Sequence, residues 1–231
     1  MERDIKAVLR TLPFLQDLDA GYLESTIPLF QKRRVKKGSI IFFEGDEGDE
    51  FYIIESGLVK IYSFDGAKTV ILAFIREGNY FGEMALIKPG LLRSATAETL
   101  EATDLYVLRR RDFEQLLVKN NKMALQMLWF TMERLRNANE QIQDLTFLNA
   151  RERILKILLR LSKEHGTLLA NGEMQINLKL THQQIADLVG AVRETASKIL
   201  QELQEEGFIT VDQKKIILKD PANFEKKVTD V

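Results

Sequence analysis

The sequence predicts an α+β chain of 231 residues: an N-terminal β-roll of the jelly-roll kind behind short helices, a long central helix, and a C-terminal winged helix-turn-helix. Three observations carry this. Short β-branched and aromatic runs separated by glycine turns fill residues 31–109. Glycine and proline vanish between Arg111 and Leu148. The run Thr181–Leu200 breaks a helical apolar pattern once, at Gly190, and then resumes it. The predicted division is 1–120, 121–148 and 149–231.

Residues 3–30 place Ile5, Val8, Leu9, Leu12, Leu15, Leu18 and Leu23 at helical spacing, interrupted by Pro13 and Pro28, so short helices are expected. The strand runs are Ser39–Phe43, Phe51–Ile54, Leu58–Tyr62, Val70–Phe74 and Leu105–Leu108. Turns at Lys37-Gly38, Glu44-Gly45-Asp46, Ser56-Gly57, Asp65-Gly66 and Glu77-Gly78 separate them. No long helices alternate with these strands, which disfavours a parallel nucleotide-binding sheet.

In the central helix Leu128, Leu135 and Ile142 recur every seventh residue, with Thr131, Ala138 and Leu145 between them. That is the a/d seam of a two-stranded coiled coil, so a homodimer is expected. The alternative is a long helix packed on its own domain. Asn149 interrupts the seam and is expected to be a hinge. Residues 151–162 form a further helix, and His165–Glu173 a loop.

In the helix-turn-helix, Thr181 is the expected N-cap and Gly190 the turn residue. Ile185, Ala186 and Val189 face inward, as do Ala196, Ile199 and Leu200. The second helix then presents Arg193, Glu194, Ser197 and Lys198 on one face. A forked donor, a carboxylate and further cations on one helix suit the base edges and phosphates of a major groove. Thr181, His182, Gln183 and Lys214 are candidates for DNA-backbone contacts, with His182 equally readable as a solvated residue. Phe208–Val211 and Lys215–Leu218 flank a polar turn and form the wing.

A second constellation joins Phe81-Gly82-Glu83-Met84-Ala85-Leu86 to Arg93-Ser94. The amides of Gly82–Ala85 can form an anion nest, with Arg93 as a forked cation and Ser94 as a hydroxyl donor. Glu83 suits a ligand that also carries a hydroxyl. The alternative is an internal ion pair between Glu83 and Arg93.

Composition limits the chemistry. At 45% hydrophobic and 29% charged residues the chain is of ordinary globular type, and its net charge of −1 gives no overall attraction to nucleic acid. DNA affinity must therefore come from local placement, with Glu202, Glu205 and Glu206 turned away from phosphates. There is no cysteine, and the only histidines are His165 and His182. A disulfide, an iron–sulfur cluster, a haem or a metal site is not expected, nor is an enzyme. No run of about 18 apolar residues suggests a membrane span, so a cytoplasmic location is expected.

From Leu12 to Leu218 the chain resembles the Crp/Fnr superfamily of bacterial transcription regulators. The residues that carry the resemblance are Glu44-Gly45-Asp46, Ser56-Gly57, the Phe81–Leu86 cassette with Arg93-Ser94, and Arg193-Glu194-Thr195. The resemblance implies a cyclic-nucleotide-binding-like effector domain, a dimerisation helix and a winged helix that binds a palindromic operator. In the cyclic-AMP-binding branch it implies that Glu83 holds the ribose 2′-hydroxyl, while Arg93 and Ser94 hold the cyclic phosphate. That branch has threonine and serine against the base, where this chain has Ala138 and Asn139. Arg193 and Glu194 match the pair that reads a TGTGA-type half-site, and Lys198 stands where arginine is frequent. RNA polymerase is an implied partner, through His165–Glu173. The implied mechanism is an effector anion on Arg93 that shifts the central helix near Ala138 and Asn139 and the hinge near Asn149. An effector-independent regulator is the competing implication.

Overall fold

The computed structural model describes residues 5–12, 15 and 19–229. It divides into two compact units, residues 1–135 and 136–231, with the division inside the central helix.

The first unit opens with α1 (Ile5–Thr11) and α2 (Ala20–Thr26), the latter capped by the Asp19 carboxylate. Eight strands follow: β1 (Gln31–Val35), β2 (Ile40–Phe42), β3 (Glu50–Ser56), β4 (Leu58–Phe64), β5 (Thr69–Arg76), β6 (Tyr80–Phe81), β7 (Thr96–Thr99) and β8 (Thr103–Arg109). They form two antiparallel sheets, in the orders β1-β8-β3-β6 and β2-β7-β4-β5. Each glycine-bounded run becomes a strand. The Pro13 region of the predicted helices lies outside the described residues.

Period-two alternation explains the two cores. On β3 and β8, Tyr52, Ile54, Leu105 and Val107 face the second sheet, where Val59 and Ala97 meet them. Phe51, Ile53, Tyr106 and Leu108 face the other way, onto Val8, Leu9, Leu23, Phe113, Met123 and Met127 of the helices. Both faces are buried, so these strands read as continuous apolar runs. Phe51 stacks on Phe113 with ring centroids 5.0 Å apart.

After β8 the chain forms α3 (Arg110–Lys119) and α4 (Asn121–Phe147). The predicted seam residues Leu128, Thr131, Leu135, Ala138, Ile142 and Leu145 are all exposed on α4 in the single chain. So are Leu125, Trp129 and Met132, whereas Met123 and Met127 are buried in the first unit. One helix thus divides its length: an inward stripe serves its own core and an apolar stripe stays open.

The second unit continues with α5 (Ala150–His165), β9 (Gly166–Leu168), β10 (Met174–Ile176), α6 (His182–Val189), α7 (Arg193–Glu205), β11 (Ile209–Asp212), β12 (Lys215–Leu218) and α8 (Pro221–Thr229). Its sheet has the order β11-β12-β10-β9. The expected loop His165–Glu173 is corrected: Gly166–Leu168 pairs with Met174–Ile176 as a hairpin. Asn149 is also better described as a cap than as a loose joint. Its side chain accepts from the Arg151 and Glu152 amides, and Glu152 returns a bond to the Asn149 amide. The end of α4 is held to α5 by Lys156 on Asp144 at 2.7 Å and by Arg153 on the Leu148 carbonyl at 2.6 Å.

Candidate effector site and nucleic-acid interface

Arg93 is positioned by the Glu44-Gly45-Asp46 turn. Its backbone amide donates to Asp46, and its carbonyl accepts from Gly45, at 2.8 and 2.9 Å. The side chain then runs inward. At 5% exposure it is buried, with its guanidinium carbon 4.2 Å from the centre of the Phe42 ring. Its Nη1 donates to the Gly82 carbonyl at 2.7 Å and its Nη2 to the Glu50 carbonyl at 2.9 Å. Its Nε is buried without a partner. A guanidinium has five N–H donors, so these two bonds leave three uncommitted. No described carboxylate forms an ion pair with Arg93, and burial pulls its pKa down.

The two neighbouring glycines make this approach possible. A Cβ on Gly48 would lie 2.7 Å from Arg93 Nε, and one on Gly82 2.9 Å from Arg93 Nη1. Gly82 also has φ 85°, a left-handed conformation that starts the 3₁₀ turn Glu83–Ala85. Ala85 is buried and Met84 exposed on that turn. Ser94 is exposed, with its hydroxyl 3.5 Å from Met84 Sδ.

The internal Glu83–Arg93 pair does not form. Glu83 instead pairs with Arg134 of α4, which also donates to the Tyr80 carbonyl at 3.2 Å. The Arg134 guanidinium lies 4.9 Å from the Tyr80 ring centre. Burial pushes the Tyr80 hydroxyl up to about 12. Arg134 was not singled out from sequence. The signal was available, since it lies one helical turn before Ala138 on the same stripe of α4. Arg110 was also missed. It donates to the Gly48, Ala85 and Leu86 carbonyls and so fixes the far side of the cassette. In the run Arg109–Arg111 nothing distinguishes it from a solvated cation. Ala138 and Asn139 lie on the part of α4 in the second unit, both exposed. On the outward face of β4 a cleft of about 500 Å³ is lined by Phe43, Lys60, Tyr62, Phe64 and Thr96.

In the second unit the helix-turn-helix is defined by its caps. The Thr181 hydroxyl accepts from the Gln184 amide, and the Gln184 side chain accepts from the Thr181 amide. Gly190 closes α6 with φ 63°. The buried residues are those expected: Ile185, Ala186 and Val189 on α6, and Ala196, Ile199 and Leu200 on α7.

Arg193, Glu194 and Lys198 are exposed on α7, and Ser197 is half-buried. The side chains of Arg193 and Glu194 make no hydrogen bond or ion pair with other described residues, so their polar groups are open to a ligand. The N-cap of α7 is Val192, which has no capping side chain, leaving the first amides of the helix open as well. The wing turn holds Gln213 and Lys214 at φ 47° and 67°, an uncommon conformation for side-chain-bearing residues. It puts Lys214 on the rim of a cleft of about 510 Å³, with Thr181, His182, Gln183 and Arg193. The acidic side of α7 is held by Arg151 of α5, which bonds Glu202 at 3.0 Å and Glu206 at 2.6 Å. Lys198 lies 4.0 Å from Glu202.

A family model for the cyclic nucleotide-binding domain matches residues 32–120, and one for the Crp-like helix-turn-helix domain matches residues 152–227. The chain is 31% identical over 216 residues to the cyclic AMP receptor protein of Thermus thermophilus, covering 93% of this chain and 95% of that one. This chain belongs to the Crp/Fnr family of transcription regulators. It is also 31% identical to the CRP-like cAMP-activated global transcriptional regulator of Mycobacterium tuberculosis, covering 95% of this chain and 98% of that protein. A solved structure, the c-di-GMP responsive global regulator CLP of Xanthomonas campestris, superposes with a TM-score of 0.70 at 26% identity, covering 87% and 99% of the two chains. Membership makes the protein a DNA-binding regulator rather than an enzyme. It also makes the first unit a cyclic nucleotide-binding domain of that family. No described helix is long and apolar enough to cross a membrane.

Proposed function

We propose that this Crp/Fnr-family regulator is a homodimer that reads a palindromic operator under the control of a small anionic effector, a cyclic nucleotide such as cyclic AMP. The observation that carries the effector reading is Arg93: a buried guanidinium with three uncommitted N–H donors and, among the described residues, no carboxylate ion pair. An unpaired buried charge is costly, and an incoming phosphate would neutralise it. The donors left over are enough for a forked phosphate contact without releasing either backbone carbonyl. Gly82, Met84, Ala85 and Ser94 frame the same spot, while Glu83 would receive the ligand hydroxyl.

The homodimer reading rests on the open stripe Leu128, Leu135, Ile142 and Leu145, each more than half exposed on a helix of coiled-coil spacing. Effector binding would favour the dimer state whose two recognition helices span successive major grooves. In that state Arg193 and Glu194 read bases, Ser197 and Lys198 flank them, and Thr181, His182, Gln183 and Lys214 meet phosphates. Such a regulator would work in the cytoplasm and meet RNA polymerase at its promoters.

Isothermal titration of the protein with 3′,5′-cyclic AMP tests the effector. Binding near one per subunit, lost in Arg93→Leu, supports the reading. If no heat develops with either cyclic AMP or cyclic di-GMP, and the dimer binds operator alone, the regulator is effector-independent. The Glu83–Arg134 pair is what favours that second reading, because it already occupies the carboxylate meant for a ribose.

A further inference from the structure

His182 and Ser197 meet across the helix-turn-helix, with Nδ1 of the imidazole 2.7 Å from the Ser197 hydroxyl oxygen. His182 opens α6 and Ser197 lies on the reading face of α7, so the contact ties both helices of the motif together. The ring is exposed on the rim of the cleft that also holds Thr181, Arg193 and Lys214. Among the described residues, Nε2 has no partner.

A hydroxyl carries a single hydrogen, and the state of the ring decides where it points. In the neutral ring with a bare Nδ1, Ser197 donates to Nδ1, and the N–H sits on Nε2. In the imidazolium both ring nitrogens carry hydrogen. Nδ1–H then donates to the Ser197 oxygen, and the Ser197 hydrogen is released to another acceptor.

We propose that His182 is a proton-linked DNA contact and that its protonation switches Ser197 from holding the ring to reading DNA. Nε2–H donates to a backbone phosphate, and the freed Ser197 O–H reaches an acceptor on a base edge in the major groove. Each half-site then takes up one proton from solvent on binding. This rests on the DNA-binding reading above and adds to it a specificity term that depends on pH.

Of the charged residues near the pair, Arg193 and Lys214 share the cleft with His182, Asp187 lies on α6 and is bonded by Gln183, and Glu194 and Lys198 lie on α7 with Ser197. In the complex the phosphate is the group in direct contact with Nε2, so the imidazolium is the tighter-binding form.

Fluorescence anisotropy of the intact protein tests this, with cyclic AMP present throughout. One duplex carries two inverted TGTGA half-sites one helical turn apart, and the other is a scrambled duplex of the same length. Wild-type affinity for the palindrome is expected to fall about tenfold or more from about pH 6 to about pH 8. His182→Gln should show a flat profile. Ser197→Ala should keep the slope, while the ratio of palindrome to scrambled affinity no longer rises on acidification. A flat wild-type profile overturns the proposal and leaves DNA binding standing. A slope that survives His182→Gln puts the proton elsewhere and also overturns it. No binding to either duplex at any pH overturns the DNA-binding reading and this inference with it.

Discussion

Glu83 gives its carboxylate to Arg134 across 51 residues of chain, while Arg93, only ten residues away from it, has no carboxylate partner among the described residues. The two arginines therefore have different standing. Arg134 is neutralised in the protein alone, whereas Arg93 is held on carbonyls and left with donors to spare.

Arg93→Leu should consequently cost little stability. The substitution removes a desolvated cation and places an apolar side chain against Phe42 and Tyr52. It leaves the Gly82 and Glu50 carbonyls without their donor, at about 1–3 kcal/mol for a buried group. The two effects oppose each other, so the melting temperature of the ligand-free protein should shift by only a few degrees. The rise in melting temperature that cyclic AMP produces in the wild type should vanish in the variant. Unfolding of Arg93→Leu at ordinary temperature would show instead that the guanidinium is a structural keystone.

Local chemistry made the recognition motif legible before any coordinates: a threonine cap, a glycine at the turn and apolar positions at helical spacing are all written within 20 residues. Glu44-Gly45-Asp46 was likewise legible as a turn, but its backbone bonds to Arg93 were not. Features set by distant pairing were not legible. Strand β1 is Gln-Lys-Arg-Arg-Val with four exposed positions, and it is a strand because it pairs with β8 while Glu50, Glu55 and Asp104 neutralise its cations. Strand β6 is two residues long, and α8 begins at Pro221 without a pattern that separates it from a tail. The Arg134–Glu83 pair needed the tertiary fold.

Arg153 is the second position where loss should be felt away from any ligand. Its Nε donates to the Val189 carbonyl at 2.8 Å and its Nη1 to the Leu148 carbonyl at 2.6 Å, so one side chain joins the end of α4 to the C-terminus of α6. Next to it, a Cβ on Gly190 would lie 3.1 Å from Leu145 Cδ2. Arg153→Met should lower the unfolding free energy by about 2 kcal/mol, the range of a charge-assisted bond lost with buried acceptors left behind. Arg153→Lys should recover little, because an ammonium cannot span two carbonyls as a planar fork does. Urea denaturation of the three proteins checks this, and equal stability of Arg153→Met and wild type would remove the clasp.

Acid should weaken the roll through Glu50. Arg33 holds this carboxylate with two bonds, of 2.6 and 2.8 Å, and Tyr52 adds one of 2.7 Å. The bond from Arg33 is the main reason that the Glu50 carboxyl titrates below the usual range. Because the folded value is depressed, the pair stabilises the protein fully above the unfolded value near about 4.3, and the contribution disappears as pH falls through the folded value. Glu50→Gln should melt earlier than wild type at neutral pH, with the gap closing below about pH 4. A gap that is constant with pH would mean that Glu50 acts through packing alone.

Arg193 is the residue whose loss should separate base reading from phosphate contact. It sits at the first position of α7, exposed, with no partner in the described chain, on a helix whose opening amides are uncapped. A forked donor there can take the two acceptors of a guanine edge, and truncation would then cost about 1–3 kcal/mol at that base pair alone. Arg193→Ala should therefore bind the wild-type operator about ten- to a hundredfold more weakly, yet bind a duplex mutated at that base pair as well as wild type does. A phosphate contact predicts the opposite pattern, in which every sequence weakens alike and the dependence of affinity on salt becomes shallower. Competition binding on the operator and its single-base variants, repeated at two salt concentrations, distinguishes the two. Uniform weakening with a reduced salt slope would move the reading of bases from Arg193 to Glu194 and Lys198.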